Sequence, residues 1–223
     1  MNRKRLIILG ILILAIAVIG KLLYCGLKNI KIDEFHPASV IFVIDSSASN
    51  QSKLEEEIKY LKSTCSILDP EDVIKIIKVS EKSYLIYEGA PSETSMINDT
   101  LKEFTKLNHQ EYGTAYGEAI KKAFDYALTM KKEGYVPSVV VIGDLENEGA
   151  TEKQIDWNTL PENVENIKKH IPEISMMFVY AHPEKLDLVK TKLSPVLGEK
   201  KLILVNEQTT NKSQRKLLEA IGR

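Results

Sequence analysis

The feature that most constrains this chain is a run of five large apolar residues, Val40 to Ile44, that ends in the polar segment Asp45-Ser-Ser-Ala-Ser49. Because a half-exposed strand alternates apolar and polar residues, an unbroken run predicts a strand covered on both faces, as in a parallel sheet. Ligands of open α/β sheets bind at the carboxyl ends of central strands. The carboxylate of Asp45 and the hydroxyls of Ser47 and Ser49 therefore predict a site for a hard cation such as Mg²⁺ or Mn²⁺ at that end.

A second stretch, 137–144, has the same design, because its β-branched apolar residues lead to the carboxylate of Asp144. Apolar spacing predicts further strands at 73–79, 84–87, 176–181 and 202–205, and helices at 54–68, 96–107, 115–132, 161–170, 184–197 and 215–221. The alternation predicts an α/β fold: a doubly wound, mostly parallel central sheet flanked by helices. The strands that end at Asp45 and Asp144 should be adjacent in its centre, and the strands 73–79 and 84–87 should form a hairpin at an edge.

Other local signals favour structure over chemistry. Ser52 and Glu55 have the form of a capping box before the first of these helices. Cys65 lies on the apolar stripe of that helix, which predicts a core residue and not a reactive thiol. The chain has no CxxC pair, and its four histidines show no metal-ligand spacing. With 30 Lys and Arg against 31 Asp and Glu, no overall field favours nucleic acid as a partner.

The N-terminal segment predicts a membrane anchor. Basic residues at positions 3–5 precede an apolar run over 6–24 that is interrupted only by Lys21. At about 1.5 Å per residue this run approaches the ~30 Å of a bilayer's hydrocarbon, and Lys21 near one end can snorkel. The basic residues favour a cytoplasmic N-terminus and an extracytoplasmic domain, although Lys21, Lys28 and Lys31 weaken the asymmetry. The predicted organisation is an anchor over 1–26, a connector over 27–38 and one domain over 39–223.

Two other interpretations of this segment remain open. A cleaved signal peptide needs small residues at its processing site, whereas Lys-Leu-Leu-Tyr follows Gly20. A lipid anchor on Cys25 is the second alternative, but bulky Tyr24 stands where lipoprotein signals carry a small residue.

Three separate elements resemble the von Willebrand factor type A (vWA) family: Asp-x-Ser-x-Ser after a buried strand, Gly-Thr before a helix, and an Asp that closes a later buried strand. The resemblance covers nearly everything after the connector. It implies a Rossmann-like fold with a metal-ion-dependent adhesion site, whose expected metal positions are Asp45, Ser47, Ser49, Thr114 and Asp144. It also implies Mg²⁺ or Mn²⁺ as the cofactor and a partner protein whose Asp or Glu fills an open position on the metal.

The chain departs from the family pattern at the second strand end. Where the family often has Thr-Asp-Gly, this chain has Gly143-Asp144-Leu145, followed by Glu146 and Glu148. The additional acids would either strengthen cation binding or repel an acidic partner.

The expected function is a membrane-tethered, metal-dependent protein-binding module for adhesion or assembly, with no catalysed reaction. One alternative is a metal-independent structural subunit of a membrane complex, with a degenerate site whose serines only cap a helix. The other is a metal-dependent hydrolase. An aspartyl phosphohydrolase would carry a second Asp where this chain has Ser47, and a serine hydrolase would need glycines flanking its nucleophile, which Ser46, Ser47 and Ser49 lack.

Overall fold

The computed structural model describes residues 36–47, 49–106, 113–146, 150–206 and 209–223, all of them within the unit His36–Arg223. The predicted anchor over 1–26, Cys25 and nearly all of the predicted connector lie outside the described residues. Among the helices of the described ranges, none has the length and apolar character needed to cross a bilayer.

A six-stranded sheet in the order β3-β2-β1-β4-β5-β6 forms the centre of this unit. Its strands are β1 (Ala38–Asp45), β2 (Val73–Val79), β3 (Ser83–Gly89), β4 (Val136–Ile142), β5 (Ser175–Val179) and β6 (Leu202–Val205). Neighbouring strands are parallel except β2 and β3, which pair antiparallel at one edge. The predictions of a mostly parallel sheet, an edge hairpin and adjacent central strands before Asp45 and Asp144 are therefore confirmed.

Strand β1 shows why its sequence is apolar without interruption. Its residues from Ala38 to Asp45 are all buried. Val40, Phe42 and Ile44 face one hydrophobic cluster, whereas Ile41 and Val43 face a second cluster on the opposite side of the sheet. Each large side chain buried in this way contributes about 1.5–3 kcal/mol of hydrophobic free energy. The run from Val40 to Ile44 is therefore apolar at every position, and the acidic Asp45 comes only where the strand ends.

Helices cover both faces of the sheet, as the doubly wound prediction requires. They are α1 (Leu54–Cys65), α2 (Thr94–Lys106), α3 (Tyr116–Lys132), α4 (Leu160–His170), α5 (Pro183–Leu197) and α6 (Thr210–Ala220). Apolar residues of α1, α2 and α6 belong to the first cluster, and those of α3, α4 and α5 belong to the second. Cys65 is buried in the first cluster, and burial raises the pKa of its thiol to about 12, in agreement with its predicted role in the core.

One predicted helix cap and one predicted helix start are wrong. The capping box of Ser52 and Glu55 does not form: the N-cap position of α1 is Lys53, and no side chain caps it. A turn carries the chain into this helix, because the Lys53 N–H bonds to the carbonyl of Asn50. Helix α6 begins at Thr210, earlier than predicted, because its first turns contain no apolar residue that could reveal a helical period.

The carboxyl ends of β1, β2, β4 and β5 are joined by main-chain hydrogen bonds. The N–H of Ser46, after β1, donates to the carbonyl of Val79 in β2 at 2.8 Å, and the N–H of Ala115 donates to that of Ser80 at 2.8 Å. The N–H of Gly143, after β4, donates to the carbonyl of Val179 in β5 at 3.1 Å. These bonds hold the turns that follow β1 and β4, and the turn before α3, at the carboxyl ends of the strands. This side of the sheet is called its carboxyl edge.

Candidate metal centre at the carboxyl edge of the sheet

Asp45 is the last residue of β1 and is fully buried at this edge. Its Oδ1 accepts the main-chain N–H of Ser47 at 2.7 Å. Its Oδ2 accepts the phenolic hydroxyl of Tyr116 at 3.0 Å. Both carboxylate oxygens are thus held by hydrogen bonds, which fixes the orientation of the group.

The hydroxyls of Ser47 and Ser49 face each other, with 3.0 Å between their Oγ atoms. Ser47 is buried, whereas Ser49 is exposed to solvent. These two hydroxyls therefore lie together, and the pair reaches solvent at Ser49.

Thr114 lies in the turn before α3 and is only 1% exposed. Gly113 before it has a φ of 113°, a conformation that glycine adopts without strain. The hydroxyl oxygen of Thr114 is buried and has no hydrogen-bond partner among the described residues. A buried polar group without a partner costs about 1–3 kcal/mol. A bound ligand that contacted this oxygen would remove that cost.

Asp144 lies just beyond the end of β4, next to the end of β1 in the sheet. Its Oδ1 accepts the N–H of Glu146 at 2.8 Å. The pKa of Asp45 is raised to about 6. Burial is the main cause, and the negative charge of Asp144 contributes to the same shift. Two carboxylates in a site with little solvent repel each other, and a cation would relieve this repulsion.

Sequence reasoning missed a third buried acid, Glu57 of α1, which is fully buried. Its two carboxylate oxygens lie 2.9 Å and 2.8 Å from Nδ2 of Asn50, which directly follows the serine motif. Burial, followed by the charges of Asp45 and Asp144, raises the pKa of Glu57 to about 8. The spacing of Glu57 from Leu54 and Leu61 already placed it on the apolar stripe of α1 and could have revealed it.

Sequence reasoning also missed Tyr116, which is completely buried at the start of α3. Its hydroxyl donates to Asp45 and accepts the N–H of Leu145 at 3.4 Å. Burial first, and the charges of Asp45, Asp144 and Glu57 next, raise the pKa of Tyr116 well above its usual value. The spacing of Tyr116 from Ala119 and Ile120 was the available signal, because it placed Tyr116 on the buried face of α3.

The departure from the family pattern has a structural counterpart. Leu145 has a φ of 62°, in the left-handed region that favours glycine, and its buried side chain belongs to the second hydrophobic cluster. The carboxylate of Glu146 lies 3.1 Å from Nζ of Lys185. Glu146 is therefore paired with a lysine, while Glu148 lies outside the described residues.

The five predicted residues occupy three turns at one edge of the sheet, joined by the main-chain bonds described above. Within the described ranges, no group of three or more His, Cys, Asp or Glu side chains could hold a metal ion. The cluster combines carboxylates with hydroxyls, a set of hard oxygen donors that fits Mg²⁺ or Mn²⁺.

Comparison with known proteins agrees with this architecture. The sequence model of the von Willebrand factor type A domain matches residues 40–147. A comparison with curated protein sequences found no significant match.

Three solved structures show the same fold. An aerotolerance-related membrane protein from Bacteroides fragilis is 16% identical with a TM-score of 0.56, covering 82% of this chain and 98% of that one. A von Willebrand factor type A protein from Catenulispora acidiphila is 15% identical with a TM-score of 0.57, covering 84% of this chain and 43% of that one. Proximal thread matrix protein 1 from the mussel byssus, with a zinc-occupied MIDAS motif, is 12% identical with a TM-score of 0.53, covering 82% and 46%.

Identities this low establish the fold alone. The match over residues 40–147 and the six-stranded sheet with its flanking helices show that this chain carries a von Willebrand factor type A domain fold.

Proposed function

We propose that this protein is a membrane-tethered binding module that holds a divalent cation at the carboxyl edge of its sheet and uses it to bind a partner protein. No reaction is catalysed in this proposal. The observation that carries it is the buried hydroxyl of Thr114, which has no hydrogen-bond partner in the part of the chain that the structure describes. A metal ion is a ligand that would satisfy this oxygen, and Thr114 is one of the five positions that the family pattern assigns to the metal.

The donor set determines which ion fits. Asp45, Ser47, Ser49, Thr114 and Asp144 would hold it, and all five offer hard oxygens, which favours Mg²⁺ or Mn²⁺. When bound, the ion would supply positive charge that an Asp or Glu of the partner can approach. The exposed Ser49 marks the side on which solvent reaches the cluster. The zinc in the mussel protein's MIDAS motif supports the idea that this fold holds a divalent ion there.

Metal binding is tested by isothermal titration of the full chain, purified in detergent, with Mg²⁺ and Mn²⁺. The wild type should bind the ion, and Asp45→Ala should bind at least a hundredfold more weakly, because it loses both a charge and a fixed oxygen. Ser49→Ala should lose less, because water can replace one hydroxyl. The variants should remain folded without metal, since a bound ion adds stability only according to its concentration relative to its dissociation constant.

Asp187→Ala is the matched control, because it removes the same group from an exposed position on α5. It should bind metal like the wild type. Equal heats of binding for the wild type and Asp45→Ala, or no heat from either protein, would contradict the proposed metal-dependent function. If the wild type binds, capture of a partner in Mg²⁺ and its release by chelator would test the second half of the proposal.

One observation favours the alternative of a metal-independent structural subunit. Ser47 and Ser49 already satisfy each other at 3.0 Å, so part of the cluster is complete without an ion. A wild type that binds no metal but still captures the same partner in chelator would support this alternative.

The membrane tether rests on the sequence before the described residues. The apolar run over 6–24 follows three basic residues, and the structurally similar Bacteroides fragilis protein is a membrane protein. We expect a single-pass anchor with a cytoplasmic N-terminus. Protease added to intact cells should then digest the domain, with a cytoplasmic protein as the protected control. Protection of the domain until lysis would reverse the orientation.

A further inference from the structure

Tyr116 is not among the five positions that the family pattern supplies, yet its hydroxyl bonds to one of them, Asp45, and to Leu145, the residue that follows another. It donates to Oδ2 of Asp45 at 3.0 Å, at the end of β1. It also accepts the N–H of Leu145 at 3.4 Å, in the turn after β4. One side-chain atom thus joins the turn that carries Asp45 to the turn that carries Asp144.

The space that this hydroxyl occupies exists only because residue 143 is glycine. A Cβ on Gly143 would lie 2.1 Å from Oη of Tyr116 and 2.6 Å from Cβ of Asp45. Both contacts are far below van der Waals distance, and both are to buried groups that cannot move into solvent. The glycine after β4, the tyrosine of α3 and the carboxylate of β1 therefore fit together as one packed unit.

The link also accounts for the conformation of the second turn. Leu145 has a positive φ of 62°, which costs a residue other than glycine about 1–2 kcal/mol. This conformation allows its N–H to bond to the Tyr116 hydroxyl while its side chain remains in the core. Loss of the hydroxyl would leave the Leu145 N–H buried without that acceptor.

We propose that Tyr116 is a positioning residue of the metal site, whose hydroxyl fixes Oδ2 of Asp45 and ties the turn that carries Asp144 to the turn that carries Asp45. This inference rests on the proposed metal-binding function. Groups that hydrogen-bond metal ligands orient them, and their removal typically weakens metal binding about 10- to 100-fold. Tyr116 itself need not touch the ion.

The test is Tyr116→Phe, which removes the hydroxyl and keeps the ring that packs in the core. Tyr60→Phe is the matched control: Tyr60 is also buried, and its hydroxyl contacts Ser213 Oγ at 3.0 Å and Met177 Sδ at 3.1 Å, away from the five positions. Both variants lose one buried hydroxyl and should lose thermal stability. Full-length proteins in detergent are titrated with Mn²⁺ by calorimetry.

Tyr116→Phe should bind Mn²⁺ about tenfold or more weakly than the wild type, and Tyr60→Phe should bind within about twofold of it. Mn²⁺ should also shift the near-ultraviolet tyrosine absorption of the wild type and of Tyr60→Phe, because the ion changes the field at the phenol bonded to Asp45. That difference spectrum should be largely absent from Tyr116→Phe.

Three results would overturn the inference. If Tyr116→Phe binds Mn²⁺ as tightly as the wild type, the hydroxyl does not position the site, and the metal-binding function remains. If both variants weaken binding equally, the effect is one of general stability. If the wild type itself binds no Mn²⁺, the proposed function and the inference fail together, and the flat wild-type titration distinguishes this case from the other two.

Discussion

Replacing Gly143 with alanine should lower the free energy of unfolding by about 3 kcal/mol, from overpacking and an unfavourable φ combined. The residue has a φ of 142°, and the added methyl group would lie 2.1 Å from the Tyr116 hydroxyl. The methyl would also meet Cβ of Asp45 at 2.6 Å. The variant should therefore lose Mn²⁺ binding together with stability, because the same group displaces Asp45 and the tyrosine that orients it.

Urea unfolding in chelator measures the first effect, and Mn²⁺ titration below the unfolding transition measures the second. Gly134→Ala is the control, because Gly134 also has a positive φ, of 94°, but no atom of the described residues lies within 4 Å of its added methyl. This variant should lower the free energy of unfolding by only about 1 kcal/mol, from the unfavourable backbone conformation alone. Adding Tyr116→Phe to Gly143→Ala should recover part of the lost stability, because the clash with the tyrosine hydroxyl disappears. Recovery should be incomplete, because the clash with Cβ of Asp45 remains. Equal destabilisation at the two glycines would contradict this packing.

Glu57→Gln should be more stable than the wild type at pH 8 in chelator, by on the order of a few kcal/mol. Burial, with the charges of Asp45 and Asp144, raises the pKa of Glu57 from 4.5 to about 8. Between these values the folded protein holds a proton that the unfolded chain has released. The stability of the wild type therefore falls as the pH rises from about 4.5 to about 8, and the penalty is complete above that range.

Glutamine is neutral throughout this range, and its amide can also donate to Oδ1 of Asn50, which is buried and has no partner within the described ranges. The difference between the wild type and Glu57→Gln at pH 6 and at pH 8 isolates the effect, because Asp45, whose pKa is raised to about 6, titrates in both proteins. Glu56→Gln, an exposed neighbour on α1, should change stability by less than about 0.5 kcal/mol. A wild type that is equally stable at pH 6 and pH 8 would show that Glu57 ionises at its ordinary pKa.

The sheet could be predicted from sequence because a strand that is buried on both faces has a continuous apolar sequence. β1 and β4 have this pattern, and both are followed by an acid. The antiparallel edge was also predictable, since only a short turn separates β2 from β3. Helix starts were harder to predict: α1 begins after a turn with no capping side chain, and α6 begins in a polar segment.

The residues behind the site could not be assigned in the same way. Glu57 is the last of three consecutive glutamates in the first turn of α1, which resembles an exposed acidic face. Its spacing from Leu54 and Leu61 is the one sequence signal that separates Glu57 from its exposed neighbours, and the structure shows its contact with Asn50. Tyr116 has the spacing of an ordinary core residue, and its contact with Asp45 depends on the room left by Gly143, which comes from a distant part of the chain.

The main-chain bonds at the carboxyl edge determine at which step the three turns that carry the predicted metal ligands lose their conformational entropy. Ser46 is tied to Val79, Ala115 to Ser80 and Gly143 to Val179, so each turn is bonded to a neighbouring strand or its end without an ion. The conformational entropy of bringing distant segments together is therefore lost during folding and not during binding. An arriving cation would need to shed water but would order little chain, so its affinity would depend mainly on ligand chemistry and charge.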